Sequence, residues 1–572
     1  MYRKIILATF LVMLTSFGSA VAGGMWGGGG GGGMGGGGWG GGGGGTSGGS
    51  GLPLTETGFR TAHFQGSANC TNCHNNLHDN TGKDVSIGKQ WLPSMMSNAA
   101  RDPLWQAKVK HEMIMNPQLQ DTFDYKCNHC HGVIAGHEAD LVGEQQRIFD
   151  YNGEIGYTNP ESPRYDEFME GISCTVCHQF QDDPTLGTKA MYSGNWVIDF
   201  SSPNPGRPIF GQYEISGSGM MYMQTGYQAQ YGSHMDTSDV CGVCHEIRTP
   251  VVDINTKEIV EGAKFVEQST YNEWKNSKFG VENTTCQDCH MPKVDGVRLS
   301  SWGWSPARND FAQHTFVGAN TAMLDMLSRN RAELGVDPNA DFDTAIANSR
   351  DFLTNETVAL NVDAASISNG TLEVRYNVDN KAGHKFPTGI QARRAWLHVK
   401  VKDAGGNIVF ESGKMNADGS ITGSAADIDR GTVEPHYDVI DSADQVQIYE
   451  GVMSDVNLDP TYVIFFASSY KKDNRLLPAG YIPHADIGIY GSAVDDTNFV
   501  AGRDQITYRV PVSGQGPYTV EADLHFQALA KPFMSAMFVY ADDDVIGRFK
   551  TLYDQPETIQ SELLESVTVS VQ

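Results

Sequence analysis

Five copies of the motif Cys-x-x-Cys-His constrain this 572-residue chain most strongly, because they use all ten of its cysteines. A pair of thiols followed at once by an imidazole is the attachment pattern of c-type haem. The thiols form thioethers with the porphyrin, and the histidine reaches the iron. The sequence therefore predicts five covalent haems, with these histidines as proximal ligands. The motifs are Cys70-Cys73-His74, Cys127-Cys130-His131, Cys174-Cys177-His178, Cys241-Cys244-His245 and Cys286-Cys289-His290.

Other chemistries also use closely spaced cysteine pairs. A Cys-x-x-Cys pair alone is half of a zinc site, a thioredoxin-like redox centre or a disulfide. None of these explains why a histidine follows every second cysteine, or why no cysteine lies outside the motifs. The haem interpretation explains both observations.

Residues 1–22 have the pattern of a cleaved secretory signal peptide. Arg3 and Lys4 form a short basic region, an apolar run follows, and Ala20-Val21-Ala22 provides the small residues that signal peptidase accepts. The apolar run is shorter than a membrane span requires. A retained N-terminal anchor is the alternative. We expect an exported protein of the periplasm or the outer cell surface, without a transmembrane span in the mature chain.

The charge of the chain restricts its partners. The formal net charge is −27, and removal of the basic signal peptide makes the mature chain more negative. Such a surface repels nucleic acid and anionic lipid and favours cationic groups. We therefore expect redox partner proteins or extracellular electron acceptors, with self-assembly as a further possibility.

Four regions follow the predicted signal peptide. Residues 23–51 contain 22 glycines, which is typical of a flexible linker, although Trp26 and Trp39 also allow an attachment segment. Residues 52–318 hold all five motifs at irregular intervals. We expect a haem-rich domain of mostly irregular and α-helical structure there, with a helix over Pro103–Met115. Residues 319–355 have helical spacing, with Gly335 as a stop and a second helix over Asp341–Leu353.

The pattern changes to strands from residue 356 to residue 572. Thr371–Val378 and Ala395–Val401 alternate between apolar and polar residues, and Ala404-Gly405-Gly406-Asn407 predicts a hairpin. We expect an antiparallel β-sandwich domain. Further strands are predicted over Tyr462–Phe466, Ile506–Val512 and Tyr518–Phe526, and a late helix over Phe533–Phe549.

The sixth iron ligands separate an electron carrier from an enzyme. A second axial histidine or methionine gives an electron-transfer haem, whereas an open position allows a small molecule to react. Twelve histidines lie outside the proximal positions. The candidate distal ligands are His137, His234, His314, His384, Met95 and Met96.

A few other side chains near the motifs have predicted roles. His129 lies between the two cysteines of its motif, where we expect a surface residue. Arg393 and Arg394 follow the His384 loop and are expected either to pair with haem propionates or to be solvated. Three further side chains are candidates for a distal pocket: Tyr125, His111 and His436.

Several segments resemble a group of exported bacterial multihaem cytochromes with a C-terminal β-domain. The resemblance covers most of residues 65–550. It implies periplasmic or cell-surface electron transfer, and it favours His314, His384 and the Met95/Met96 pair as ligands. The segments that carry it are residues 94–103, 285–292, 314–318, the His384 loop over 383–389, and 472–478.

The sequence favours a non-catalytic pentahaem electron carrier. One alternative is a multihaem oxidoreductase that acts on nitrite, hydroxylamine or a sulfur oxyanion at an open axial site. Pentahaem nitrite reductases carry one Cys-x-x-Cys-Lys motif, however, and all five motifs here end in histidine. A second alternative is a subunit of an extracellular cytochrome filament.

Overall fold

Short helices and small two-stranded sheets make up the motif-bearing part of the chain. The computed structural model describes residues 57–215, 218–302, 305–483, 496–514 and 516–572. The predicted signal peptide and the glycine-rich segment lie outside these residues. The helices are α1 (Ala68–Thr71), α2 (Ile87–Trp91), α3 (Pro103–Met115), α4 (Gln120–His131), α5 (Val133–Val142), α6 (Tyr165–Met169), α7 (Cys174–Cys177), α8 (Gly219–Thr225), α9 (Asp239–Gly242), α10 (Thr270–Lys275), α11 (Lys278–Glu282) and α12 (Cys286–His290).

Four strand pairs connect these helices. Strands β1 and β2 are parallel, and the pairs β3–β4, β5–β8 and β6–β7 are antiparallel. The strands are β1 (Pro208–Gly211), β2 (Gln228–Tyr231), β3 (Ile247–Val252), β4 (Ile259–Gln268), β5 (Lys293–Val294), β6 (Val297–Arg298), β7 (Ala307–Arg308) and β8 (Phe311–Ala312).

Helix α3 has the bounds that the sequence predicts. Asp102 caps it by accepting hydrogen bonds from the backbone N–H groups of Leu104 and Trp105, and Pro103 occupies the first turn, where no donor is needed. The predicted helices of the next region are also confirmed: α13 (Thr321–Arg329), α14 (Arg331–Leu334) and α15 (Phe342–Glu356). Gly335 ends α14 with a φ of 65°, a conformation that glycine adopts without strain.

Two facing β-sheets form the later part of the chain. One has the strand order β13-β17-β10-β9, and the other has the order β15-β14-β11-β18-β19, with β12 on β11 and β16 on β14. All pairings are antiparallel except β13–β17. The strands are β9 (Val358–Ser368), β10 (Thr371–Asn380), β11 (Arg394–Lys402), β12 (Ile408–Ser412), β13 (Val439–Ile440), β14 (Ile448–Ser454), β15 (Pro460–Thr461), β16 (Ser469–Asp473), β17 (Arg503–Pro511), β18 (Tyr518–Gln527) and β19 (Glu562–Val571).

Alternating side chains from the two sheets fill one shared core. Leu372, Val374 and Tyr376 of β10 pack with Leu397 of β11 and Leu524 of β18. The intervening residues point outward, as the two-residue period of a strand requires. The predicted alternation, and the hairpin between β11 and β12, are confirmed.

Two predicted elements are wrong. The run Tyr462–Phe466 is not a strand, because Ile464–Phe466 forms a 3-10 turn. The Glu112 carboxylate accepts hydrogen bonds from the N–H groups of Ile464 and Phe465, so a side chain replaces a strand partner. The late helix divides into α17 (Lys531–Phe538) and α18 (Asp544–Tyr553), because Asp543 caps a new helix. A short helix, α16 (Ala425–Ile428), precedes them.

Helices α17 and α18 pack on the motif-bearing part of the chain. Ile546 and Phe549 of α18 share a core with Ala107 and Met113 of α3. Lys110 also forms an ion pair with Asp543, with Nζ and Oδ2 3.7 Å apart. Within the described residues, no helix is long and apolar enough to cross a membrane.

Candidate haem-binding site

All five motifs lie in helical turns. In the first, third and fourth motifs the histidine N–H donates to the carbonyl of the first cysteine, at 3.1, 3.0 and 3.0 Å. Helices α4 and α12 contain the second and fifth motifs. Residues at positions i, i+3 and i+4 share one face of a helical turn. Both thiols and the imidazole of each motif therefore project to the same side, as attachment to one porphyrin requires.

Backbone carbonyls orient four of the five proximal histidines. A metal-bound histidine normally donates its second ring N–H to such a group, which leaves the other nitrogen free for the metal. In each case Nδ1 faces the carbonyl, and Nε2 is left free for a metal. The pairs are His74 with Leu299 at 2.5 Å, His131 with Ala99 at 3.0 Å, His178 with Phe210 at 2.6 Å and His290 with Val317 at 2.7 Å.

His245 has a side-chain partner instead. Its Nδ1 lies 3.0 Å from the side-chain amide of Gln268. The amide oxygen and nitrogen exchange places by rotation, and the oxygen would accept from Nδ1–H. In that orientation Gln268 has the same function as the carbonyls at the other four motifs.

Burial keeps the proximal histidines neutral, which is the form that binds metal. Loss of solvation lowers the pKa of His131, His245 and His290 to about 4. It also lowers the pKa of His74 and His178. Trp105 stacks on the His131 ring, with centroids 4.5 Å apart and planes 10° apart. No sequence pattern predicts this contact, because it depends on how α3 packs against α4.

Two predicted distal histidines face proximal histidines. The ring centroids of His178 and His314 are 6.3 Å apart with an interplanar angle of 22°, and those of His290 and His384 are 6.3 Å apart with an angle of 17°. Two imidazoles on one metal have centroids about 6 Å apart, from metal–nitrogen bonds of about 2 Å and ring radii of about 1.2 Å. Nδ1 of His314 and Nδ1 of His384 face the carbonyls of Ala312 and Lys385, so their Nε2 atoms are free for a metal.

The other predicted ligands lie elsewhere. His137 packs at 5.0 Å from the His129 ring, and its buried Nε2 has no hydrogen-bond partner within the described residues. His234 directs Nε2 to the Phe180 carbonyl at 2.9 Å. Met95 and Met96 pack against two apolar clusters. Ring contacts among the described residues bring no second imidazole against His74, His131 or His245.

His129 is not a surface residue, contrary to our prediction. It is 7% exposed. Its ring lies between α4 and α5, where Nδ1 donates to the Tyr125 carbonyl at 2.7 Å and Nε2 is 3.8 Å from Asp140. Packing of the two helices therefore covers this side chain.

Arg394 is also placed differently from the prediction. It is fully buried, and it pairs with Asp427 at 3.1 Å and with the Gln527 side chain at 2.7 Å, so it is neither solvated nor free for a propionate. Arg393 is half-buried and donates to the Thr388 carbonyl and the Asn320 side chain.

The three candidates for a distal pocket do not converge. Tyr125 is 46% exposed, and His111 is buried beside Lys108. His436 belongs to the β-sheet region, where Nε2 lies 3.1 Å from Asp496 and 3.8 Å from Asp504.

The motifs contact one another in an order that differs from their order in the chain. The Cys70 thiol interacts with Cys174, which joins the first motif to the third. Cys244 interacts with Cys130, and Cys241 interacts with Cys286. The fourth motif therefore touches both the second and the fifth.

A buried charge network holds the His384 loop. The Lys385 ammonium is fully buried, 2.7 Å from Asp473, and Asp473 also accepts from Arg475 at 2.8 Å. Glu273 of α10 accepts from the Lys385 backbone N–H at 3.1 Å and lies 3.4 Å from Arg475. The two cations depress the pKa of Asp473 strongly. We name these four residues, Lys385, Asp473, Arg475 and Glu273, the loop network.

The residues of the motifs fit covalent haem. Each helical turn presents two thiols and one imidazole on one face, and all ten cysteines are free of disulfides. In the third and fifth motifs a second neutral imidazole lies 6.3 Å from the motif histidine, measured between ring centroids, as expected for two imidazoles on one metal ion. The positions of the thiols and imidazoles therefore agree with the haem attachment predicted from the sequence motif.

Comparison with known proteins adds little to this assignment. No protein-family model matches the chain, and no curated protein matches its sequence. Among solved structures, a penta-heme cytochrome c552 from Thermochromatium tepidum aligns with 89% of this chain and 100% of its own, at 14% identity and a TM-score of 0.49. A TM-score below 0.5 does not establish a shared fold. The haem assignment rests on the motifs and the histidine geometry.

Proposed function

We propose that this protein is an exported pentahaem c-type cytochrome that transfers electrons. Bound haem supplies a one-electron centre at each motif, and the chain sets its properties through axial ligands, burial and neighbouring charge. The observation that carries the proposal is the placement of His314 opposite His178 and of His384 opposite His290. Two imidazoles on one iron leave no position for a substrate, which favours electron transfer over catalysis.

The contacts between motifs support a connected path. Interactions between thiols join the first motif to the third, and the fourth to both the second and the fifth. Haems attached at neighbouring motifs would lie beside one another, which favours direct electron transfer between them. We propose that electrons enter at one exposed edge and leave at another, towards a redox protein or an acceptor outside the cell.

Spin state tests the axial ligands. In the oxidised holoprotein we expect low-spin signals from the haems of His178 and His290. His314→Ala and His384→Ala should each convert one haem to high spin, as measured by electron paramagnetic resonance. The control is His78→Ala, because His78 is exposed and lies outside all five motifs. Unchanged spectra in both variants would contradict the assigned ligands.

The oxidoreductase remains a second candidate for one reason. His74, His131 and His245 make no ring contact with a second imidazole among the described residues. A haem with an open position at one of these motifs would show a high-spin signal in the unmodified protein. If that protein also reduced nitrite or oxidised hydroxylamine, the carrier proposal would be wrong.

A further inference from the structure

Two histidines and an aspartate meet on the outer face of the β-sheet that contains β11 and β18. His398 of β11 is directly opposite Asp523 of β18, and His525 is two residues further along β18. Residues two apart in a strand share a face. The neighbouring Leu397 and Leu524 fill the core, so the three polar side chains point outward. One ligand atom from each lies within 4.8 Å of the others.

The ring nitrogens of both histidines suit metal binding. Nε2 of His398 lies 3.0 Å from the Glu411 carboxylate, so it carries the proton and leaves Nδ1 free for a metal. Nδ1 of His525 is buried and has no hydrogen-bond partner within the described residues. An unsatisfied buried nitrogen costs free energy, which a metal ion would recover. Trp396 stacks on the His525 ring at 5.1 Å and fixes its orientation.

Asp523 supplies the negative charge of the cluster. One of its oxygens accepts from the Ser566 hydroxyl at 2.6 Å, and the other lies 3.8 Å from the Lys400 ammonium. Lys400 is closer to Glu521, at 3.2 Å, so it has another partner when a cation occupies the cluster. Burial lowers the pKa of His525 and keeps the ring neutral.

The other two His/Asp clusters of the described chain are less suited to a metal ion. His436 accepts hydrogen bonds at Nδ1 from Gln447 and Asn474, so its Nε2 carries the proton and donates to Asp496. The cluster of His129 and His137 includes a residue inside the second haem motif. Among the clusters of the described residues, only the one on β11 and β18 combines two free ring nitrogens with a position away from the motifs.

We propose that His398, Asp523 and His525 bind a divalent first-row transition metal ion, with zinc as the representative, at a site separate from the haems. Imidazole favours such ions over calcium and magnesium, which prefer oxygen ligands. With metal–nitrogen distances of about 2.0–2.1 Å, small rotations of the two rings would bring the three ligands around one ion. Three protein ligands leave the fourth tetrahedral position for water, on the solvent side of the sheet.

Calorimetry with zinc sulfate tests the site in the complete, tag-free holoprotein after treatment with a chelating resin. We expect one zinc ion to bind. His398→Ala and His525→Ala should each weaken binding at least tenfold, whereas His78→Ala should leave it unchanged. Excess calcium should not compete. Equal zinc affinity in the two cluster variants and the unmodified protein would overturn the site, and so would displacement of zinc by calcium or the absence of zinc binding.

Two further measurements keep the test independent of folding and of haem. Zinc should raise the melting temperature of the unmodified protein, because a ligand that binds only the folded state stabilises it. Asp523→Asn, a nearly isosteric change, should remove this increase; an increase equal to that of the unmodified protein would contradict the proposal. The haem absorption and spin states should be the same in all variants, which separates this site from the axial ligands.

Discussion

Asp473→Asn tests whether the loop network fixes the His384 loop. In this variant the Lys385 ammonium loses its counter-charge and stays buried, because its side chain is 0% solvent-accessible and lies 2.7 Å from residue 473. Removal of one partner from a buried ion pair costs about 3–5 kcal/mol. Arg475 also loses an ionic partner that it contacts at 2.8 and 2.9 Å and keeps only Glu273 at 3.4 Å, so both cations contribute to the cost.

The assay is thermal unfolding followed by circular dichroism, together with the spin state of the haem beyond His384. A loss of this size lowers the melting temperature of a region of about 200 residues by roughly 6–20 °C. We also expect a high-spin signal to grow on heating before the main transition, because a loosened loop withdraws His384. The matched control is Asp363→Asn, which breaks an exposed pair with Arg375 and should cost at most about 1 kcal/mol.

A double variant separates the charge from the packing. Lys385→Met with Asp473→Leu removes one charge of each sign and leaves the Arg475–Glu273 pair neutral. Apolar replacement of a buried pair is often nearly neutral in stability. The double variant should therefore recover the part of the loss that comes from the unpaired Lys385, as a double-mutant cycle would measure. The reasoning is refuted if Asp473→Asn melts like Asp363→Asn with an unchanged spin state, or if the double variant is no more stable than the single one.

Two other predictions concern buried positions. Burial raises the pKa of Asp504 to about 7, while Tyr449 donates to it at 2.7 Å. The folded state therefore holds this proton more tightly than the unfolded state, and the resulting stability, up to about 4 kcal/mol, is complete below about pH 4 and lost as the pH rises through 7. Asp504→Asn should flatten the melting temperature between pH 4 and pH 8, and an unchanged slope would count against this. At Gly194 a Cβ atom would lie 3.1 Å from Cys130 Sγ, with a φ of 77°, so Gly194→Ala should reduce haem attachment as measured by intact mass. Gly143→Ala has open space and should keep the full haem mass, and an equal mass in both variants would refute the steric argument.

Local patterns predicted local structure well. The helix predicted over Pro103–Met115 is α3, and the alternation of Leu372, Val374 and Tyr376 predicted β10 with its inward face. The same reasoning failed where a distant side chain decided the outcome. Glu112 binds the backbone at Ile464, which turned a predicted strand into a 3-10 turn.

The candidate site shows the same division. The motifs determine the proximal residues, because two thiols and an imidazole must share one helical turn. His314 and His384 were candidates by their surroundings, but the motif that each one faces depends on packing across the chain. Arg394 was misplaced because its partner Asp427 lies beyond the strand that contains it. The sequence around Arg394 does not show that a distant carboxylate will neutralise its charge.

The packing of α18 on α3 has a consequence for biogenesis. Ile546 and Phe549 close a core around residues of α3, which precede them by about three-quarters of the chain. If the protein is exported as proposed, α3 emerges first, and its apolar face stays uncovered until the C-terminal helices follow. Enzymes that attach haem would therefore meet an open polypeptide with accessible cysteines. The core between α3 and α18 would form only after the last helices have crossed the membrane. The order of the elements in the chain therefore favours haem attachment before the core closes.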